Sequence, residues 1–225
     1  RAEIEFVPAY KSSDIGFDRS LIAAYGQDDK VCAYPALMAE IENVEPTITS
    51  VAVFTDKEEI GSEGNTGMVS NFLFDIIDDL CDVADVKARD CYRKSICLSS
   101  DVNSAFDPTF SDVYDKMNAS YINKGVVLTK YTGHAGKSGS NDASAETMAK
   151  VIKLMDDKKV VWQIGELGKV DIGGGGTIAK YMSERNIDTI DVGVAVLSMH
   201  APYEVTSKLD VYHTYLAYKA FLLNQ

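Results

Sequence analysis

The stretch Thr55-Asp56-Lys57-Glu58-Glu59-Ile60-Gly61-Ser62 restricts the possible folds of this chain more than any other. An apolar, β-prone run (residues 48–54) leads into it, and a glycine-rich turn (61–67) follows. A buried strand that ends on adjacent carboxylates brings two like charges to a place where desolvation is costly, unless a cation lies close by. A metal ion answers that need. One glutamate can bind it while its neighbour handles protons. The plain alternative for the pair is a solvated loop.

Four more residues sit in comparable places. Asp28-Asp29 follows Tyr25-Gly26-Gln27, Asp101 follows the apolar residues 96–98 and Ser99-Ser100, and His200 follows the apolar run 194–199. Each lies near the C-terminal end of a strand-like segment or opens a helix-like one. In open α/β sheets the ligand crevice lies at the carboxyl ends of the strands. Asp28, Glu58, Glu59, Asp101 and His200 can therefore converge although they are far apart in sequence. Two aspartates, two glutamates and a histidine suit zinc, manganese or cobalt rather than a thiolate site. Singly, Asp28-Asp29 reads as a helix cap, Asp101 as a turn residue and His200 as a strand-end histidine. Their joint placement points to a metal centre.

The periodicity predicts strands over 4–10, 51–54, 94–99, 125–131 and 160–164, and one long buried strand over 190–199. It predicts helices over 29–41, 71–83, 143–155, 177–185 and 209–223. In the second of these, Phe72, Leu73, Ile76, Ile77 and Leu80 form the apolar face. Strands alternating with helices argue for an α/β sandwich with a largely parallel sheet. The loop 131–142, rich in Gly, Ser and Asn, makes His134 a solvent-facing residue, and His213 reads as structural. Gly173 to Gly176 lead into the helix expected at Thr177, without the Gly-Lys-Ser/Thr ending of a P-loop.

With 225 residues and 46% apolar side chains, the chain can bury one substantial core. Its net charge of −12, with no Lys/Arg-rich run, argues against nucleic acid and anionic membrane as partners. No apolar run reaches the roughly 20 residues of a membrane span. Cys32, Cys81, Cys91 and Cys97 lack Cys-x-x-Cys or histidine spacing, which leaves reduced thiols and a cytoplasmic location as the expectation.

Five segments resemble the M18 metallo-aminopeptidases, the aspartyl aminopeptidase and aminopeptidase I group of di-metal exopeptidases. They are Tyr25-Gly26-Gln27-Asp28-Asp29-Lys30-Val31, Asp56-Lys57-Glu58-Glu59-Ile60-Gly61-Ser62, Ser99-Ser100-Asp101-Val102, Gly173-Gly174-Gly175-Gly176-Thr177-Ile178-Ala179 and Leu197-Ser198-Met199-His200-Ala201-Pro202. They fall in the family's order across nearly the whole chain.

The resemblance implies an α/β three-layer sandwich of the phosphorylase/hydrolase-like zinc-peptidase type, with a largely parallel sheet and without its N-terminal part. Residues 1–16 resemble the end of an inserted interaction domain or a linker strand, and 17–225 the C-terminal part of the catalytic domain. By the same resemblance Asp28 bridges two zinc ions, manganese or cobalt being alternatives. Glu58 is the general base toward the attacking water, Glu59 and His200 hold one metal, and Asp101 holds the other. Gly175, Gly176 and Thr177 border the substrate, and Lys130 is a candidate partner for an acidic N-terminal side chain. The implied activity is removal of N-terminal residues, acidic ones among them, from peptides by a homo-oligomer, with a large closed assembly as one form.

The family pattern also has a metal-binding histidine upstream of the bridging aspartate. Of His134, His200 and His213, none precedes Asp28. One metal is thus short of a ligand. A second expectation therefore stands beside the first, an inactive fragment or non-catalytic metal-binding scaffold subunit of a larger peptidase assembly. A non-peptide amidohydrolase is a third.

Overall fold

The structure, a computed structural model, describes residues 2–135 and 138–223. In chain order its strands are β1 (Ser13–Ile15), β2 (Leu21–Ala24), β3 (Ile96–Ser99), β4 (Asn103–Ser104), β5 (Val126–Thr129), β6 (Tyr131–His134), β7 (Ser138–Asp142), β8 (Trp162–Ile164), β9 (Asp188–Gly193), β10 (Ala195–Leu197) and β11 (Glu204–Ser207). The helices are α1 (Gln27–Ile41), α2 (Phe72–Val83), α3 (Ala88–Lys94), α4 (Ala145–Asp157), α5 (Ala179–Ser183) and α6 (Lys208–Leu223), with short 3₁₀ turns at Glu58–Ile60 and Pro108–Val113. Among the described residues no helix is long and apolar enough to cross a membrane.

The core forms where a fully buried strand meets three helices. Val126, Val127 and Leu128 of β5 are buried on both faces, so β5 must lie centrally. Its sheet runs β3-β9-β5-β8. The β3/β9 and β5/β8 pairs are parallel, and β5/β9 is antiparallel. The expected parallel character thus holds at two of this sheet's three pairings. Val126, Leu128, Ile190 and Val192 pack against Met148, Val151 and Met155 of α4, and against Ala39 of α1 and Ala217 and Tyr218 of α6. Burying a side chain such as Leu128 contributes about 2 kcal/mol. Ser144 caps α4 by accepting the Thr147 N–H, which sets where that helix begins.

A second sheet, β1-β2-β11-β10-β4, is antiparallel except at β10/β4. At Val194 the chain passes directly from one sheet into the other. The single strand expected over 190–199 is two strands, β9 in one sheet and β10 in the other, which the chain joins at Val194. The Val194 carbonyl accepts the Asn103 N–H at 2.8 Å, and Gly193 passes directly over the Asp101 backbone.

Three further expectations are corrected. Residues 4–10 and 51–54 are not strands. β-propensity records fitness for a half-buried, paired surface, and neither run has a ladder partner among the described residues. Val51, Val53 and Phe54 are instead about half exposed. On α2 the buried residues are Phe74 and Cys81, while Phe72, Ile76 and Leu80 face outward. Of the expected face only Leu73 and Ile77 are half-buried; Leu73 and Phe74 pack with Met68, Tyr92, Ile187 and the α5 side chains Tyr181 and Met182.

Candidate metal centre

Gly26 adopts left-handed backbone (φ 68°), which turns the chain sharply from β2 into α1 and delivers Gln27 and Asp28. Gln27 is buried. Its amide donates to the carbonyls of Ile22 (3.2 Å) and Glu204 (2.6 Å), and its Oε1 accepts the Thr206 hydroxyl at 2.5 Å. Glu204, 2% exposed, then joins two distant segments. Its Oε2 accepts the Asp28 backbone N–H at 3.0 Å, and its Oε1 accepts the His200 backbone N–H at 2.9 Å. Glu204 lies four residues after His200 on β11, so the return of that strand to β2 brings His200 against Asp28.

His200 Nε2 lies 3.0 Å from Asp28 Oδ2 and 3.0 Å from Glu59 Oε1. Glu58 and Glu59 occupy a 3₁₀ turn between Lys57 (φ 62°) and Gly61 (φ 88°). The Tyr181 hydroxyl of α5 donates to the Gly61 carbonyl at 3.1 Å and ties the turn in place. Asp101 follows β3, and its Oδ1 accepts the Val102 N–H at 2.8 Å.

Two groups of potential ligand atoms result, each within 4.8 Å of one another: Asp28, Glu59 and His200, and Asp28, Asp29 and Asp101. Asp28 belongs to both. His134 and His213 belong to neither.

The electrostatics ask for cations here. Burial, then the Glu59 charge, raise the Asp28 carboxyl to about 6, against the pull of His200. Burial raises Asp29 to about 8, with Asp28 and Glu58 adding to it against a hydrogen bond from Cys32. Burial followed by Asp29, Glu58 and Asp28 pushes Asp101 well above the carboxylate range, and burial with Glu59 and Asp28 raises Glu58. Asp29 Oδ1 is buried with no hydrogen-bond partner. Four carboxyls that discourage one another's ionisation, with an orphaned oxygen among them, are what divalent cations relieve. The donor set, carboxylate oxygens with one imidazole, fits zinc or its borderline neighbours.

The centre opens into a cleft of about 380 Å³ lined by Asp28, Glu58, Glu59, Asp101 and His200. Gly175, Gly176 and Thr177 form another wall, with His134, Lys180 and Tyr181 nearby. All five expected site residues on the carboxylate–histidine side therefore meet. The glycines serve close backbone approach. The Gly133 N–H donates to the Gly175 carbonyl at 2.8 Å, and a Cβ on Gly174 would stand 2.3 Å from the Gly133 carbonyl oxygen. The expected helix at Thr177 begins only at Ala179. Lys130 does not line this cleft, and its ammonium is paired with Asp142. The lysine that lines it is Lys180, whose Nζ sits 4.6 Å from the Tyr181 ring centroid. His134, expected as an ordinary loop residue, is exposed at the cleft edge.

Sequence reasoning missed Glu204, Gln27 and Lys180, and it singled out Asp29 with Asp28 without placing it among the ligands. Glu204 had a local signal, a charged residue opening the alternating run Glu204-Val205-Thr206-Ser207 just after His200. For Lys180 there was none beyond its nearness to the glycine run.

The family of aminopeptidase I zinc metalloproteases (M18) matches residues 1–222. A probable M18 family aminopeptidase 1 from Clostridium acetobutylicum is 48% identical over 99% of this chain and 49% of its own length. One from Thermotoga neapolitana is 46% identical over 98% of this chain and 50% of its own length. The crystal structure of aminopeptidase I from C. acetobutylicum superimposes with a TM-score of 0.90 over 97% of this chain and 48% of that one, at 48% identity. The M18 aminopeptidase structure from Thermotoga maritima gives 0.92 over 97% and 50%, at 44% identity. The chain thus spans about half the length of the relatives it matches.

Proposed function

The chain belongs to the M18 family of aminopeptidase I zinc metalloproteases, and from that premise we propose that its cleft serves metal-dependent removal of N-terminal residues from peptides. The observation that carries this is the pair of ligand groups meeting at Asp28, with Glu58 beside them in one cleft. Asp28, Glu59 and His200 would hold one zinc. Asp28 and Asp101 would hold a second, with Asp29 within reach; manganese or cobalt could replace zinc. Bound there, the metals supply Lewis acidity at the scissile carbonyl and acidify the attacking water.

The chain's own residues do the rest. Glu58 lies next in sequence to Glu59 but belongs to neither ligand group. Its carboxyl, raised by burial and its acidic neighbours, suits it to accept the water proton and return it to the departing amine. Glu204 holds Asp28 and His200 in register through their backbones. Gly175, Gly176 and Thr177 present a wall with little side chain, against which a peptide backbone fits. Lys130 would reach a substrate only by leaving Asp142.

In this reading residues 17–225 are the C-terminal part of a three-layer catalytic domain, and residues 1–16 are the end of an inserted domain or linker. Exposed apolar residues such as Phe6, Phe17 and Val83 support a homo-oligomer. The free cysteines suit the cytoplasm.

The test is hydrolysis of aminoacyl anilides by the zinc-loaded chain and by Glu58→Gln, with bound zinc measured in both. Turnover lost in the variant while zinc is retained supports the reading. Equal, negligible turnover in both proteins would sink it for this chain and leave metal binding alone.

A further inference from the structure

Asp101 sits where two neighbouring strands part. The β3/β9 pairing ends on Ser99 and Asp191, and there the Ser99 hydroxyl donates to Asp191 Oδ1 at 2.8 Å. β3 stops at Ser99, while β9 runs on through Val192 to Gly193, whose backbone lies over the Asp101 carbonyl. Beyond Asp101 the departing chain is caught again, where the Asn103 N–H donates to the Val194 carbonyl at 2.8 Å.

Ahead of Asp101 the catch is a side chain from α6. The Tyr218 hydroxyl donates to the Val192 carbonyl at 2.7 Å and lies 2.5 Å from the Ser100 hydroxyl. A phenol carries one proton, and a carbonyl can only accept. That proton therefore goes to Val192, and Ser100 donates its own to the phenol oxygen. Tyr218 thus ties the two strands together one residue past the end of their pairing. It is 5% exposed, and its ring belongs to the core cluster of Val126, Leu128, Ile190 and Val192, so close packing fixes where the hydroxyl stands.

We propose that Tyr218 is a positioning residue for the metal position built on Asp101, acting through Ser100. The proposal rests on the two-metal reading above and adds a support that the two positions do not share. Asp28 and His200 are steadied by Glu204, and the glutamate turn by Tyr181. Those bonds involve neither Ser100 nor Tyr218. Metal sites tolerate ligand errors of only about 0.2 Å, and a single peptide link joins the held serine to Asp101. Without the phenol oxygen Ser100 can shift, and Asp101 shifts with it. The loss then falls on one metal ion of the two.

The test titrates zinc into the metal-free 225-residue chain in competition with a chromogenic chelator. Cobalt loading follows, because its visible absorption reports the ligands at each position. Tyr218→Phe, Ser100→Ala and a core control, Met155→Ala, are treated alike. The unsubstituted chain should take two ions, the weaker at Asp101, where fewer ligands meet. In Tyr218→Phe the weaker ion should bind about 10- to 100-fold less tightly, with its cobalt band altered, while the tighter ion stays within about 2-fold. The melting temperature should fall by about 3–8 °C. Ser100→Ala, which leaves Tyr218 bonded to Val192, should reproduce the selective loss, and the double variant should add little to either. It also decides the matter if Tyr218→Phe fails to fold. Met155→Ala should lose stability and keep both ions. Equal weakening of both ions, two unaffected ions in Ser100→Ala and Tyr218→Phe, or the same selective loss in Met155→Ala would each overturn the proposal while the two-metal reading stands. Fewer than two ions in the unsubstituted chain would overturn both together.

Discussion

Replacing Gly193 with alanine puts the crossing between the two sheets under load at the point where it touches the metal centre. A Cβ built on Gly193 stands 1.7 Å from the Asp101 carbonyl oxygen, 2.7 Å from its carbonyl carbon and 3.3 Å from Cys32 Sγ. Ordinary carbon–oxygen contact is about 3.3 Å, so the Asp101 backbone or β9 must retreat by roughly 1.5 Å. Neither is free to do so. Gly193 is in register with Val127, and the next carbonyl, that of Val194, accepts the Asn103 N–H at 2.8 Å. Overpacking of this kind costs about 1–3 kcal/mol, which for a chain of this length lowers the melting temperature by about 3–10 °C. The Asp101 carboxylate moves with its backbone. Metal sites tolerate ligand errors of only about 0.2 Å, so zinc affinity should fall about 10- to 100-fold, the range seen when support behind a ligand is lost.

The assay pairs thermal unfolding of the metal-free protein with zinc titration against a chromogenic chelator. Gly125→Ala is the control. Its Cβ would meet the Val161 carbonyl oxygen at 2.0 Å, with φ at 86°, in a turn remote from the cleft. It should lose stability while binding zinc as the unsubstituted chain does. Unchanged zinc affinity in Gly193→Ala, or an equal loss in Gly125→Ala, would refute the reasoning.

Three other outcomes are expected. Glu204→Gln keeps one acceptor for the two N–H groups of Asp28 and His200, and should weaken zinc binding about 10-fold or more; a titration that overlays the unsubstituted chain would contradict it. Asp210 is fully buried, accepts the Asn123 and Gly125 N–H groups at 2.6 and 2.7 Å, and is raised by burial to about 6 from an ordinary 3.8. Its folded form holds the proton more tightly than the unfolded form, so its contribution to stability is greatest below about pH 4, is lost as pH rises to about 6, and is flat above. The stability difference between the metal-free chain and Asp210→Asn should change over that window by up to about 3 kcal/mol, and a constant difference in urea midpoints from pH 4 to 7 would be inconsistent with it. Lys180→Met should change the ratio of glutamyl to leucyl anilide hydrolysis by about 10-fold, while Lys130→Met leaves it alone; the reverse pattern would restore Lys130 to the cleft.

The sequence was most readable where chemistry dictates residue type. Asp28, Glu58, Glu59, Asp101 and His200 could be picked out because carboxylates and a histidine at the ends of apolar runs are expensive unless they converge, and they do converge. Helices α1, α4 and α6 were readable for a related reason, since each buries residues against one core. What could not be read depends on partners. Residues 51–54 carry strand composition without a neighbouring strand to pair with among the described residues, so propensity misled. The face of α2 was misassigned in part because Phe72, Ile76 and Leu80 are as apolar as Leu73 and Phe74, and the placement of Met68, Tyr92, Ile187 and α5 decides which face is covered.

The lysine shows why such limits follow from geometry. Lys130 and Lys180 both lie beside cleft-forming segments, and composition cannot rank them. The choice is made by the β6–β7 hairpin. It pairs Tyr131 with Asp142 and is irregular between Thr132 and His134. That register sets Asp142 against Lys130 and directs the hairpin backbone onto Gly173 to Gly176, with Gly133 donating to Gly175 and Ala135 to Gly173. The glycines, read from sequence as a surface for a ligand, are occupied on one side by the protein's own backbone. The same contact seats α5 at the cleft, with Lys180 on its wall and Tyr181 reaching Gly61 beside the glutamate turn. A hydrogen-bond register between two short strands therefore decides which lysine lines the cleft, and a register is a property of a pair of segments that no single stretch of sequence contains.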